Sequence, residues 1–118
     1  MSKKKEPGQY KVIPVCLLNL RKMEAVTVRF YSLWQLYAGT GRLSLRADNV
    51  EEVMSQIEDI FGTQIREQLR AHGVQANLSI RDYSLILLNG HNVDKQNLEQ
   101  VKLKAGDIVH IFPLAMGG

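Results

Sequence analysis

The sequence predicts an α+β domain in which a small sheet packs against one main helix. Alternating apolar residues mark strands near both ends of the domain, and an apolar stripe at helical spacing lies between them. A hairpin whose chain crosses over through a helix and returns to the same sheet places that helix on one face of the sheet. At 118 residues, the chain is long enough for one such domain with its own core.

The first two predicted strands form a hairpin. Ala25–Ser32 alternates between apolar and polar residues, the period of two that marks a strand with one buried face. Arg42–Ala47 alternates again and is its predicted partner. Between them, Leu33–Gly41 predicts a short turn of helix or a loop. Within that segment we expect Trp34 to pack in the core, because large aromatic side chains are highly buried on average.

Two helices are predicted in the middle of the chain. Asp48 is a suitable N-cap, and Glu51 would complete a capping box. The apolar stripe that follows at helical spacing consists of Val50, Val53, Met54, Ile57 and Phe61. Gly62 is predicted to end this helix, and Thr63 to cap a second, weaker helix that ends at Gly73.

The next segments are less regular. Val74–Asp82 fits either an edge strand or a loop. Tyr83–Leu88 predicts an apolar strand that ends at the turn dipeptide Asn89-Gly90, to which we assign no other role. Asp94–Val101 predicts a short helix or turn.

The last predicted strand is Ile108–Pro113, which stops at the proline because proline cannot donate to the ladder. If Val109 and Ile111 point into the core, alternate residues face outward and form an apolar patch at the root of a flexible tail. The predicted partner-binding residues are Ile108, His110, Phe112, Pro113, Leu114 and Met116. The alternative is that the N-terminal residues simply bury Phe112.

Charge divides the chain into parts. Residues 1–22 carry six basic side chains against one acidic, a balance of +5, whereas residues 23–118 carry nine basic and eleven acidic, a balance of −2. This difference predicts an N-terminal extension over residues 1–22. Residues 1–9 are polar and contain Pro-Gly, so we expect them to be disordered. The domain is predicted over 23–113, and a flexible tail over 114–118 follows the last strand. A domain without a basic stripe argues against nucleic-acid binding.

Other classes of function are disfavoured as well. The apolar run Val12–Leu20 is interrupted and far shorter than the roughly 20 residues that span a bilayer, so no membrane association is predicted. A single cysteine, Cys16, allows no internal disulfide and fits a reducing, cytoplasmic compartment, where we expect an inert thiol. The histidines, His72, His91 and His110, lack metal-ligand spacing, so we expect no metal site.

The final segment carries a resemblance to a known family. Lys104–Gly118 (KAGDIVHIFPLAMGG) resembles the end of the MoaD/ThiS family of ubiquitin-like sulfur carriers, in which a Gly-Asp turn launches a last apolar strand toward a terminal Gly-Gly. Val28–Gly39 and Leu87–Gly90 are similar to the family's first strand and Asn-Gly strand end, although Trp34 stands where the family usually has a polar residue. The resemblance spans about residues 23–118 and implies a ubiquitin-like β-grasp with four or five strands in a mixed sheet.

The same resemblance implies a chemistry. The Gly118 carboxylate would be adenylated with ATP by a partner and then converted to a thiocarboxylate, and Gly117 would leave clearance because it has no side chain. The chain would not itself be an enzyme or hold a permanent cofactor. The implied partners are a MoeB/ThiF-like adenylyltransferase of the ubiquitin-activating type, a sulfur donor and an enzyme like the large subunit of molybdopterin synthase.

Several roles remain open at this point. Phe112-Pro113 before the tail favours a role like that of the molybdopterin synthase small subunit over a thiamine sulfur carrier. A ubiquitin-like modifier conjugated to lysine amines would begin with the same activated carboxylate on Gly118. A β-grasp interaction module that has lost the chemistry is a third possibility, and the intact Gly-Gly argues against it.

Overall fold

A computed structural model describes residues 24–77 and 79–114 of the chain. Within those ranges the helices and strands are β1 (Glu24–Phe30), α1 (Ser32–Ala38), β2 (Arg42–Ala47), α2 (Val50–Ala71), β3 (Ser84–Leu88), β4 (His91–Asn92) and β5 (Ile108–Pro113). Short 3-10 turns cover Ile80–Tyr83 and Leu98–Gln100. The predicted extension over 1–22, with Cys16, and tail residues 115–118 lie outside the described residues.

The strands of the described chain form one mixed sheet of five strands in the order β2-β1-β5-β3-β4. β1 pairs antiparallel with β2, as the hairpin prediction requires, and parallel with β5. β5 also pairs antiparallel with β3, and β3 with the short edge strand β4. The last strand of the domain is therefore the central strand of the sheet, and the predicted α+β fold class is confirmed.

The core lies between the sheet and α2, and the predicted alternation is confirmed. Val28, Val109 and Ile111 are completely buried. Trp34 is also buried, and its indole N–H donates to Ser84 Oγ at 2.8 Å, while the Ser84 hydroxyl donates to the carbonyl of Ile80 at 2.6 Å. Because the indole N–H has a hydrogen-bond partner, Trp34 can be buried without an unpaired donor. The predicted core position of Trp34 is confirmed, and the bond to Ser84 joins α1 to β3.

The prediction of two helices is wrong, because α2 runs without a break from Val50 to Ala71. Gly62 lies inside it, and a Cβ at that position would overlap the carboxylate of Glu58. That carboxylate accepts the N–H of Ile80 at 2.9 Å and pairs with Arg66. Gly62 does not end the helix. The absence of a side chain at this position leaves the space in which the Glu58 side chain lies along the helix.

The helix also begins one residue later than predicted. Asn49, not Asp48, is the N-cap, and its side-chain oxygen accepts the N–H of Glu52 at 2.9 Å. The Glu52 carboxylate in turn accepts the N–H of Asp48 at 2.8 Å. Because Glu52 performs the task predicted for Glu51, the Glu51 side chain is available for a contact elsewhere.

Glu51 makes that contact with Arg81, in the 3-10 turn before β3. Two guanidinium nitrogens donate to its two carboxylate oxygens, with the Nη2–Oε2 bond at 2.8 Å. The hydrogen bond from Arg81 lowers the pKa of Glu51 below its ordinary value. The ion pair and the Glu58–Ile80 bond hold the segment before β3 against α2.

The remaining connections are short. In Val74–Asp82, the described residues form loop and 3-10 turn, so the edge-strand alternative is not realised, and β3 begins at Ser84 instead of Tyr83. The two-residue strand β4 was not predicted, because so short a segment has no measurable periodicity. The 3-10 turn Leu98–Gln100 confirms the short helix or turn predicted over Asp94–Val101.

The role given to Gly62 predicts a change of sign between two backgrounds. Gly62→Ala should gain about 1 kcal/mol of helix propensity but displace the Glu58 carboxylate, which costs about 1–3 kcal/mol. In the wild-type background we expect net destabilisation of about 1 kcal/mol, and in a Glu58→Ala background stabilisation of about 1 kcal/mol. Urea unfolding, followed by the fluorescence of the single tryptophan, measures both free energies. Equal effects in the two backgrounds would contradict the proposed contact.

The Glu51–Arg81 pair predicts a pH dependence. A carboxylate whose pKa is lowered by folding stabilises the protein above its ordinary value of 4.5, and this stability is lost as the pH falls through the folded-state pKa. Because both side chains are partly exposed, we expect Glu51→Gln to lose no more than about 1 kcal/mol at pH 7. The unfolding free energies of variant and wild type should converge in acid, and Arg81→Gln should behave alike. A constant difference across the acid range would rule the pair out as the cause.

Candidate functional site

The candidate site begins where β5 enters the sheet. Asp107 is buried in the turn before β5, and its carboxylate accepts the N–H of Lys104 at 2.8 Å. The other carboxylate oxygen accepts the side-chain amide of Asn89 at 3.0 Å, and the amide oxygen of Asn89 accepts the N–H of Ile108 at 2.9 Å. We call these contacts the Asn89–Asp107 link. They fix the first residue of β5 relative to the end of β3.

Asn89 is therefore more than the turn residue that the sequence predicted. Its backbone has φ 51°, in the left-handed region that asparagine tolerates better than most residues, and its N–H donates to the carbonyl of Ile108 at 2.8 Å. Gly106 adopts φ 88° in the facing turn and donates its N–H to Ala25 of β1. The Asn-Gly and Gly-Asp sequences thus meet at the same end of the sheet.

At its other end β5 leads toward the predicted tail. Tyr31 donates its N–H to Ile111 at 3.2 Å, and Leu114 donates its N–H to Tyr83 at 2.8 Å. β5 ends at Pro113, and one further hydrogen bond ties Leu114, predicted as the first residue of the tail, to the 3-10 turn before β3. The predicted reactive residue Gly118 and its neighbour Gly117 follow in the segment outside the described residues.

The predicted outward residues of β5 lie on the face of the sheet that points away from α2. Ile108, His110 and Phe112 alternate with the buried Val109 and Ile111, and all three are partly exposed. Leu114 is 41% exposed at the end of the same strand, whereas Met116 lies outside the described residues. Ile108, His110, Phe112 and Leu114 are thus placed as alternation requires, whereas Pro113 shares the alternation of the buried Val109 and Ile111 and pairs with the buried Ser84. The role of these residues in partner binding stays a prediction.

Tyr31 completes this face. Its ring stacks on Phe112, with centroids 4.1 Å apart and planes 10° from parallel. Its hydroxyl lies 2.7 Å from Nδ1 of His110, at hydrogen-bonding distance. Leu85 of β3 is the register partner of Phe112 on the other side and is 41% exposed. The aromatic centre of the face is therefore built from three neighbouring segments of chain.

Two members of this face were not predicted as binding residues. Tyr31 follows β1, and Leu85 lies in a strand that the sequence predicted but whose faces it did not assign. The period-two alternation already placed Tyr31 opposite to the buried side chains of β1, so the signal was present. What alternation cannot show is which strand lies beside β5, and this depends on the sheet order.

Two other features are absent from the described ranges. Across residues 24–77 and 79–114, no group of three histidine, cysteine or acidic side chains is placed to hold a metal ion. None of the helices described is long and apolar enough to cross a membrane.

A mixed sheet whose central strand is the last one, with a long helix on one face, defines a ubiquitin-like β-grasp protein. Solved structures place the chain more closely. It matches small archaeal modifier protein 1 from Methanosarcina acetivorans with a TM-score of 0.58 and 25% identity, over 83% of this chain and 100% of that one. It matches a putative molybdopterin converting factor, subunit 1, from Pyrococcus furiosus with a TM-score of 0.54 and 20% identity, over 78% and 99%.

A third match is small archaeal modifier protein 1 of Haloferax volcanii, with a TM-score of 0.54 and 18% identity, over 78% of this chain and 99% of that one. No family model and no curated protein matches the sequence. The predicted resemblance to ubiquitin-like carriers is confirmed by these solved structures, which include both modifier proteins and a molybdopterin converting factor subunit.

The Asn89–Asp107 link predicts different costs for two substitutions at one position. Asn89→Ala loses both side-chain bonds and strains a backbone at positive φ, and we expect destabilisation of about 3 kcal/mol. Asn89→Gly loses the same bonds without the strain, and we expect about 1–2 kcal/mol. Urea unfolding measures both values. If the glycine variant is as stable as wild type, the side-chain bonds do not fix the strand.

Proposed function

We propose that this chain is a sulfur carrier whose Gly118 carboxylate is activated by a partner enzyme. The observation that carries the proposal is the placement of Leu114: it is hydrogen-bonded at the end of the central strand, and Gly117-Gly118 follow within four residues. The similarity to a molybdopterin converting factor subunit, which the chain spans almost completely, supports the same role.

The proposed reaction has three steps. A carboxylate oxygen of Gly118 attacks the α-phosphorus of ATP, and the bond between the α-phosphorus and the bridging oxygen to the β-phosphate breaks. Pyrophosphate departs, and an acyl-adenylate is formed. A persulfide sulfur on the donor then attacks the acyl carbon and displaces AMP. A thiol cleaves the resulting acyl disulfide, forming a new disulfide and releasing the Gly118 thiocarboxylate. The adenylyltransferase binds the ATP, and the carrier holds no permanent cofactor.

The described part of the carrier contributes position to this chemistry. Glycine at 117 offers no side chain to obstruct a narrow channel, and the sheet fixes the point from which the tail starts. The face formed by Tyr31, His110 and Phe112 provides a docking platform immediately before the tail. Buried area at such a platform gives affinity, so that the tail itself can remain short and unobstructed.

The proposed recipient is an enzyme like the large subunit of molybdopterin synthase, which would place the protein in the cytoplasm with a pterin precursor as the sulfur acceptor. Phe112-Pro113 at the root of the tail supports this choice over a thiamine pathway. Sulfur transfer to a pterin precursor or to a thiamine precursor needs a catalytic partner, because the thiocarboxylate supplies only the nucleophile.

A second candidate is a protein modifier, supported by the likeness to a small archaeal modifier protein at 25% identity. In that role a lysine amine attacks the activated Gly118 carbonyl and forms an isopeptide bond. The two functions share the adenylate and differ only in the nucleophile that consumes it, so they require the same first experiment.

We expect the intact chain, incubated with the cognate adenylyltransferase, ATP, a persulfide donor and a thiol, to gain the mass of one sulfur-for-oxygen exchange. Deletion of Gly118 should abolish this gain in mass, and so should the addition of one alanine after Gly118. As the control for folding, both variants should keep the wild-type unfolding midpoint. Normal conversion of the deleted chain would refute the proposal. A ladder of heavier lysine-linked conjugates in a lysate would instead support the modifier.

A further inference from the structure

We propose that the outer face of the sheet recognises an acidic segment of a partner protein, with Arg29 and Arg42 as the charge-reading residues. The identity of that partner as the activating enzyme rests on the proposed function. The recognition chemistry rests on the charge, the pairing and the packing of the described residues on this face.

The first observation is the sign of the charge on this face. Among the described strand residues that point away from α2, the ionisable ones are Arg29, Arg42, Arg46 and His110, and none is a carboxylate. Residues 23–118 nevertheless contain more acidic than basic side chains. The acidic residues are therefore concentrated elsewhere, and this face is positive in a domain whose overall balance is slightly negative. This corrects the expectation from the sequence that the domain carries no basic stripe.

The second observation is that two arginines oppose each other. Arg29 of β1 and Arg42 of the edge strand β2 are register partners on the same face. Like charges directly opposite one another in an antiparallel pair are destabilising. A carboxylate placed between them would remove this repulsion, so the pair favours an anionic ligand over a neutral one.

The third observation concerns how Arg29 is held. Its guanidinium carbon lies 5.6 Å from the centre of the Tyr31 ring, and its buried Nε has no hydrogen-bond partner among the residues described. Among the described residues, an aromatic ring and not a carboxylate thus positions this side chain. An arginine held in this way keeps its charge available and loses little conformational entropy on binding.

The basic half of the face is continuous with the aromatic half. Arg29 is the register partner of His110, whose ring nitrogen lies beside the Tyr31 hydroxyl. Tyr31 stacks on Phe112, beside the exposed Leu85. A ligand that fits this surface carries carboxylates over the hairpin and an apolar side chain over Phe112. Arginine and aromatic residues together are the composition enriched in protein interfaces.

Charge also selects among possible occupants. The chain's own residues 1–22 contain an apolar run, but their balance of +5 makes them a poor match for a face that carries arginines. An acidic segment of a second protein satisfies both halves of the face. The proposed occupant is therefore a partner protein, and the truncated chain starting at Met23 tests the alternative.

The binding test uses two short synthetic peptides with the same leucine and phenylalanine residues, one with glutamate and the other with lysine between them. In titrations of the full ¹⁵N-labelled chain, the glutamate peptide should shift the amides of Arg29, Tyr31, Arg42 and Phe112. We expect at least tenfold weaker binding of the lysine peptide, and weaker binding of the glutamate peptide at high salt. Equal binding of both peptides, or shifts confined to α2, would overturn the proposal.

Arg42→Gln should weaken glutamate-peptide binding about threefold, and Arg29→Gln with Arg42→Gln about tenfold. Lys102→Gln removes the same charge from an exposed residue outside the strands and should leave the affinity unchanged. Arg42 is exposed on an edge strand, so its substitution should not disturb folding. Unchanged affinity in Arg42→Gln and in the double variant would refute the assignment. If the full chain does not bind the glutamate peptide but the chain starting at Met23 does, the extension is the occupant of this face and the inference is wrong.

Adenylation kinetics separate this inference from the proposed function. With the adenylyltransferase, Arg42→Gln should raise the KM for the carrier about threefold and leave kcat unchanged, because Arg42 takes no part in the proposed chemistry of the Gly118 carboxylate. If wild-type chain is adenylated and Arg42→Gln has the wild-type KM, the inference fails while the function stands. If wild-type chain is not adenylated but the peptide results hold, the function fails while the acidic-ligand surface stands.

Discussion

The register of the last strand is the constraint on which the rest of this structure depends. β5 lies between β1 and β3, so a slip of one residue would exchange its two faces and move Val109 and Ile111 out of the core. The Asn89–Asp107 link opposes such a slip, because it joins the end of β3 to the first N–H of β5 through side chains. Core packing and the outer face are therefore fixed together by a few polar contacts at one end of the sheet.

The same alternation then serves two purposes along one strand. On one face it packs apolar side chains against α2, and on the other it lines up His110 and Phe112 beside Tyr31. Arg29 extends this outer row onto the hairpin, so a basic surface and an aromatic one meet next to the point where the tail begins. Under the proposed function, docking and the starting point of the tail would thus depend on one strand and its neighbours.

The sequence predicted what depends on local pattern. The bounds of β5, the buried face of β1 and the core position of Trp34 all followed from periodicity and residue type. It failed where distant residues decide the local structure. Gly62 continues a helix because Glu58 reaches Ile80, 22 residues away, and Asn89 acts through Asp107, 18 residues away. Without the tertiary arrangement, each of these two residues shows only its ordinary preference for a helix end or a turn.

The hydrogen bond from Leu114 to Tyr83 defines how closely docking and chemistry can be coupled. Gly118 comes four residues after Leu114, and a fully extended chain of that length reaches at most about 14 Å. A short tether gives its end a high effective concentration at a site within reach and almost none beyond it. A partner that binds the outer face would therefore have to hold its nucleotide within that distance of Leu114. Under the proposed function, the geometry of the sheet end would thus select partners by the distance between their docking surface and their active site, in addition to their surface chemistry.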